Sequence, residues 1–244
     1  MIKFPENLSG LHGEEEKLYR RSRDVIDADE NLILHVCAVE ATLDLLYAFR
    51  LLIVEDEDFK VIQVLGMRVF NTLSSSFKLM MSGYYQTSAM VMRDALETAF
   101  LVDFFSSDQA SVSKWRMATE KERRKLFKPV KIREALDNRD GFTGQKRAKA
   151  YELLSELATH PSMWGFSMLR NKDGNIYLGP FFDPTALKAS LEELGRLALQ
   201  TGEIIGRFIS TEKQSLIPSF PRFVQVKRSW LKEFYGSSVK EDSN

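Results

Sequence analysis

Three groups of residues have types and spacings suited to chemistry. Arg93 and Glu97 stand four apart within YYQTSAMVMRDALETAFLVDFF, residues 84–105, so on a helix they share one face. A guanidinium placed there can hold an anionic group while the carboxylate orients it. Exposed, such a pair contributes only about 0.2–0.5 kcal/mol. Enclosed, it becomes either a structural charge cluster or one wall of a polar pocket. The second group is Tyr151, Ser155, Glu156 and His160, along QKRAKAYELLSELATHP. His160 is the best placed of three histidines for acid–base work, because imidazole titrates nearest neutrality. A histidine ending a helix before proline also serves simply as a cap and dipole partner. The third group is the basic run KERRKLFKPVKIR, with Lys121, Arg123, Arg124, Lys125, Lys128, Lys131 and Arg133. It interleaves Phe127 but has no aromatic platform of the kind single-strand binders use. It reads as a basic surface for a docking partner more readily than as an RNA track.

These residues must be positioned by helices. The stretch 84–105 is apolar nearly all round, which places it inside a bundle and makes its charges conspicuous. Upstream, Glu14–Glu16 favour the first turn of one helix, and Asp29 caps a second that runs to about Ile53. His35 in that second helix reads as a packed residue rather than a ligand. The acids at 55–58 lack the alternation and glycine of a calcium loop and instead open a third helix, Phe59 to Met81. Gly83 is suited to a left-handed cap, so this helix and the central one form an antiparallel hairpin. Ser106, Ser107 and Asp108 introduce one polar helix that Pro129 ends. A short helix over 130–137, a Gly141–Gly144 turn and a helix over 145–159 follow. GFTGQKR lacks the spacing of a phosphate loop. Asp173-Gly174 between short apolar runs predicts a β-hairpin insertion over about 167–179. Asp183-Pro184-Thr185 opens a long helix to about Ser210, and FVQVKRSWLKEFY forms a terminal one. The expected fold is all-α: one bundle domain over 1–236 around the buried central helix, with a flexible tail over 237–244.

Composition supports an ordinary globular, cytoplasmic protein. The chain has 244 residues, no net charge, 44% hydrophobic residues and a single cysteine, Cys37. MIKFPENLSG has no signal-peptide core, and the expectation is that no segment enters a membrane. HExxH, CxxC and Glu-x-x-His spacings are absent, so neither a metal nor a cofactor is expected. Charge is unevenly spread: residues 1–60 hold 7 basic against 14 acidic residues, and 111–150 hold 13 against 5. Solvated helical faces, an internal contact, a basic patch or a homo-oligomer interface would each account for that.

Two segments carry a resemblance. SGYYQTSAMVMRDALETAFLVDFF and YELLSELATHPSMWGF with its downstream GPFFD resemble a group of bacterial helical proteins that have no assigned activity. Their shared marks are Arg-x-x-x-Glu, here Arg93 and Glu97, and Tyr-x-x-x-Ser-x-x-x-x-His-Pro, here Tyr151, Ser155, His160 and Pro161. Gly179-Pro180-Phe181 completes the set, and the resemblance covers about residues 60–200. The helical layout is also similar to the HEPN superfamily, whose active members are metal-independent ribonucleases of toxin–antitoxin and phage-defence systems. That superfamily's arginine would fall at 153–155, where Leu153, Leu154 and Ser155 stand, so the hallmark is absent. The reading placed first is a module binding a protein or small ligand through Arg93, Glu97, Tyr151, Ser155 and His160. The alternative is a HEPN-like ribonuclease with His160, Arg93 and Glu97 as its catalytic set. A third is an oligomeric scaffold joined by its oppositely charged surfaces.

Overall fold

The computed structural model describes residues 5–158, 163–171, 173–210, 214 and 217–236. Within them every regular element is helical. In chain order these are α1 (Glu6–Asp27), α2 (Glu30–Arg50), α3 (Glu57–Met81), α4 (Tyr85–Ser107), α5 (Ala110–Met117) and α6 (Glu120–Leu126). There follow α7 (Pro129–Arg139), α8 (Lys146–Ala158), α9 (Met163–Ser167), α10 (Pro184–Gly206) and α11 (Ser219–Tyr235).

Local chemistry sets most of the boundaries. Asp29 accepts hydrogen bonds from the Asn31 and Leu32 amides, and Asp183 does the same for Thr185 and Ala186 with Pro184 in the first turn. Asp56 caps α3, so the acidic 55–58 run does open that helix. Between α3 and α4, Gly83 sits at φ +85°, and a Cβ there would lie 2.4 Å from the Phe181 carbonyl oxygen. Only glycine satisfies both the left-handed backbone and the close approach. At the other end of α4 the expected cap is overrun: Ser106 and Ser107 return their hydroxyls to the Asp103 carbonyl and stay helical.

Two expectations change. The single polar helix breaks at Ala118, whose ψ of 144° is extended. Thr119 then forms a reciprocal capping box with Glu122 and starts α6 afresh. The β-hairpin is not shown either. The only sheet-type pairing among the described residues is one isolated antiparallel bridge, Arg170 with Ile176. The Asn171 side chain holds the turn by accepting from the Asp173 and Asn175 amides. Ile176 is 68% exposed and Leu178 fully so. The second apolar run, 176–178, therefore lacks the half-buried face that a strand pair needs.

α4 lies at the centre, in contact with α3, α5, α7, α8 and α10. α3 and α4 are pinned by a buried exchange in which each of Ser76 and Ser88 donates its hydroxyl to the other's carbonyl. α2 packs on α3, α10 and α11. Its C-terminus is closed by Gln63, whose amide donates to the Phe49 and Leu52 carbonyls. By length and composition α2 is apolar enough to cross a membrane, yet half of that stretch is buried within the bundle. α11 seats Phe223 against Gly202 of α10, where an added Cβ would meet the ring at 2.4 Å. Buried apolar residues from Ile26 to Trp230 form one continuous core.

Candidate functional site

α4 and α8 bring four of the singled-out residues together. The Arg93 Nε donates to the Ser155 hydroxyl at 2.9 Å, and one Nη donates to the Tyr151 hydroxyl. That same Nη reaches Glu97 at 3.5 Å, the outer limit of a hydrogen bond. The Tyr151 ring also receives two cations: the Arg93 guanidinium lies 4.5 Å from its centroid and that of Arg133 lies 4.1 Å away. Helical spacing explains the convergence. Arg93 and Glu97 are one turn apart on α4, Tyr151 and Ser155 one turn apart on α8, and the two helices pack together. His160 lies outside the described residues, as do Lys172 and the 237–244 tail.

Beside this cluster opens a cavity of about 460 Å³, within the size range of small-molecule sites. α3 contributes Val64, Leu65 and Arg68; α4 contributes Asp94, Glu97, Thr98, Phe100 and Leu101. Trp115 of α5, Phe127, and Pro129, Ile132 and Arg133 of α7 complete the lining. Most of this surface is apolar. Arg68 and Asp94 form an ion pair with each other. Arg133 is different: its Nε and Nη1 are buried and, among the described residues, have no hydrogen-bond partner. Glu97 belongs to both the Arg93 cluster and the cavity, so the two are one site.

The basic run separates by direction. Lys121, Arg124, Lys125, Lys128 and Lys131 are exposed, with Arg124 paired to Glu120 at 3.0 Å. Arg123 turns inward, donating to the Trp115 and Ala118 carbonyls while lying over the Trp115 ring. Arg133 is half-buried against Tyr151. These two are less exposed than the rest of the run. Trp115 of α5 and Phe127 after α6 both line the cavity. Sequence spacing does not single out Trp115, and it marks Phe127 only as an aromatic within the basic run. The Thr-x-x-Glu capping box at 119–122 was the signal that could have found them.

A second charged cluster has a structural character. Asp103, 3% exposed, accepts from Arg139 at 2.9 Å and 3.1 Å and from Arg207 at 2.8 Å. Arg147 approaches it at 3.7 Å and donates to Asp137 at 2.8 Å. Asp140 closes the network, its carboxyl held well below the usual carboxylate range, first by the hydrogen bond from Arg139. Three acids and three arginines thus neutralise one another where α4, α7, α8 and α10 meet. Some of the positive excess in 111–150 is absorbed here. Among the described residues, no group of three or more His, Cys, Asp or Glu side chains is placed to hold a metal ion. His35 is a core residue: 2% exposed, it accepts from the Trp230 indole N–H at 2.9 Å and stacks on Phe234.

No protein-family model, curated protein or solved structure matches the chain.

Proposed function

We propose that this protein is a binding module that takes a small amphipathic ligand in the cavity between α3, α4, α5 and α7. One observation carries the reading: Arg133 lines a largely apolar cavity, and its Nε and Nη1 are buried with no hydrogen-bond partner among the described residues, which leaves its charge incompletely satisfied by the protein. A charged donor out of water without an acceptor is costly, and an anionic group placed against it removes that cost. The aromatic and aliphatic walls would bury the ligand's body. Here the anion-holding role assigned to Arg93 passes to Arg133. Arg93 is engaged by Ser155, Tyr151 and Glu97, and its task is to fix Tyr151, on which Arg133 stacks. The same engagement leaves little of Arg93 to stabilise a phosphorane, which is why binding ranks ahead of the HEPN-like ribonuclease.

The test is calorimetric titration with 3-phenylpropanoate, a carboxylate on an apolar body, with acetate as control. Binding of 3-phenylpropanoate but not acetate is expected. Arg133→Met should weaken it about ten- to hundredfold, the range for losing hydrogen bonds to a charged group. Absence of binding by 3-phenylpropanoate and by its zwitterionic and cationic counterparts alike would overturn the reading. So would RNA cleavage in EDTA that is lost in His160→Ala, which would put the ribonuclease in its place.

A further inference from the structure

Two residues of opposite charge line the cavity without forming an ion pair with each other. Of its four charged lining residues, Arg68 and Asp94 form an ion pair. Arg133 and Glu97 remain. The Arg133 Nε and Nη1 have no hydrogen-bond partner among the described residues. Glu97, its side chain 29% exposed, is held among the described residues only by Arg93 at 3.5 Å. Arg93 is itself drawn toward α8 by Ser155 and Tyr151. A cation and a carboxylate that border one cavity without closing on each other are satisfied together by a molecule carrying the complementary pair.

We infer that the ligand is a zwitterion of the α-amino-acid type with a large apolar side chain. Its carboxylate meets Arg133, its ammonium meets Glu97, and its side chain lies among Phe100, Leu101, Trp115 and Phe127. A simple monoanion would satisfy Arg133 but would bring a second negative charge onto the wall that holds Glu97. A simple cation would do the converse. This inference rests on the cavity being a binding site, and it names the ligand's chemistry.

The experiment compares three probes of one shape by calorimetry on the full chain: L-phenylalanine, 3-phenylpropanoate and 2-phenylethylamine. L-phenylalanine is expected to bind at least about tenfold tighter than either single-charge analogue. Glu97→Gln should erase its advantage over 3-phenylpropanoate, and Arg133→Met its advantage over 2-phenylethylamine, with circular dichroism confirming the fold of each variant. Should Glu97→Gln fail to fold, Glu97→Asp shortens the reach of the carboxylate and should weaken L-phenylalanine selectively. If 3-phenylpropanoate binds as tightly as L-phenylalanine and Glu97→Gln leaves their ratio unchanged, the zwitterion is wrong while the cavity remains a binding site. The same holds if the amine binds best. If none of the three binds, both readings fall.

Discussion

Asp103 shows how one buried carboxylate can organise several helices. It takes hydrogen bonds from Arg139 of α7 and from Arg207 at the end of α10, and it lies next to Arg147 of α8. A charge held in this way is stable only while its partners stay, because desolvation has already cost several kcal/mol. Replacing it leaves cations facing one another in a partly dry site. Asp103→Asn is expected to destabilise the fold by about 3–5 kcal/mol, read as a lower urea midpoint with an unchanged slope. A loss below about 1 kcal/mol would show that the arginines find water instead. The network also shows what local spacing conceals. Arg93 and Glu97 were legible because four residues separate them. Asp103 and its partners lie 36 and 104 residues apart, so no periodicity joins them. For the same reason Arg133 looked like one more surface cation, since its place against Tyr151 depends on how α7 meets α8.

At the level of elements, the chain announced its helices chiefly through their ends. Asp29, Asp56 and Asp183 each cap a helix where a carboxylate precedes an apolar pattern. The hairpin expected over 167–179 had the right turn chemistry, but strands also need something to cover, and Leu178 faces solvent. Gly83 is where an element's geometry can be tested. Its left-handed backbone makes any other residue unfavourable by about 1–2 kcal/mol. A Cβ would also press on the Phe181 carbonyl, forcing the 179–183 segment away from α4. Gly83→Ala should therefore lower the melting temperature and loosen the stacked Tyr177 and Phe181 rings. Near-ultraviolet circular dichroism would report it. An unchanged melt would mean that the turn has another conformation open to it.

Across the whole molecule, helices far apart in sequence meet where α11 lies on α2, fixed by the Trp230–His35 hydrogen bond. Burial holds the imidazole's pKa below its ordinary value of 6.5, outweighing Glu192 and Asp29, which raise it, while Lys188 lowers it further. The folded protein thus keeps His35 neutral where the unfolded chain takes up a proton. By linkage, the stability this site contributes is complete above about pH 6.5 and declines as pH falls below it. Protonation would also turn the Nδ1 acceptor into a donor facing the Trp230 N–H. Urea midpoints should fall between pH 7.5 and pH 5.5, and His35→Phe should flatten that slope whatever its effect at pH 7.5. An equally steep slope in the variant would assign the effect to other groups.

The Ser76–Ser88 exchange has a consequence in time. It joins helices linked by a turn of only three residues, 82–84, so the α3–α4 hairpin closes at almost no cost in loop entropy. Docking α11 on α2, by contrast, joins residues 195 apart in sequence. Contacts that close short loops are favoured early in folding, and distant ones arrive late. Every residue lining the cavity falls between 64 and 133, on the early side of that order. Partial opening of the native protein should run the other way: amides of 219–235 exchange first, while α3 and α4, and the cavity they wall, remain assembled.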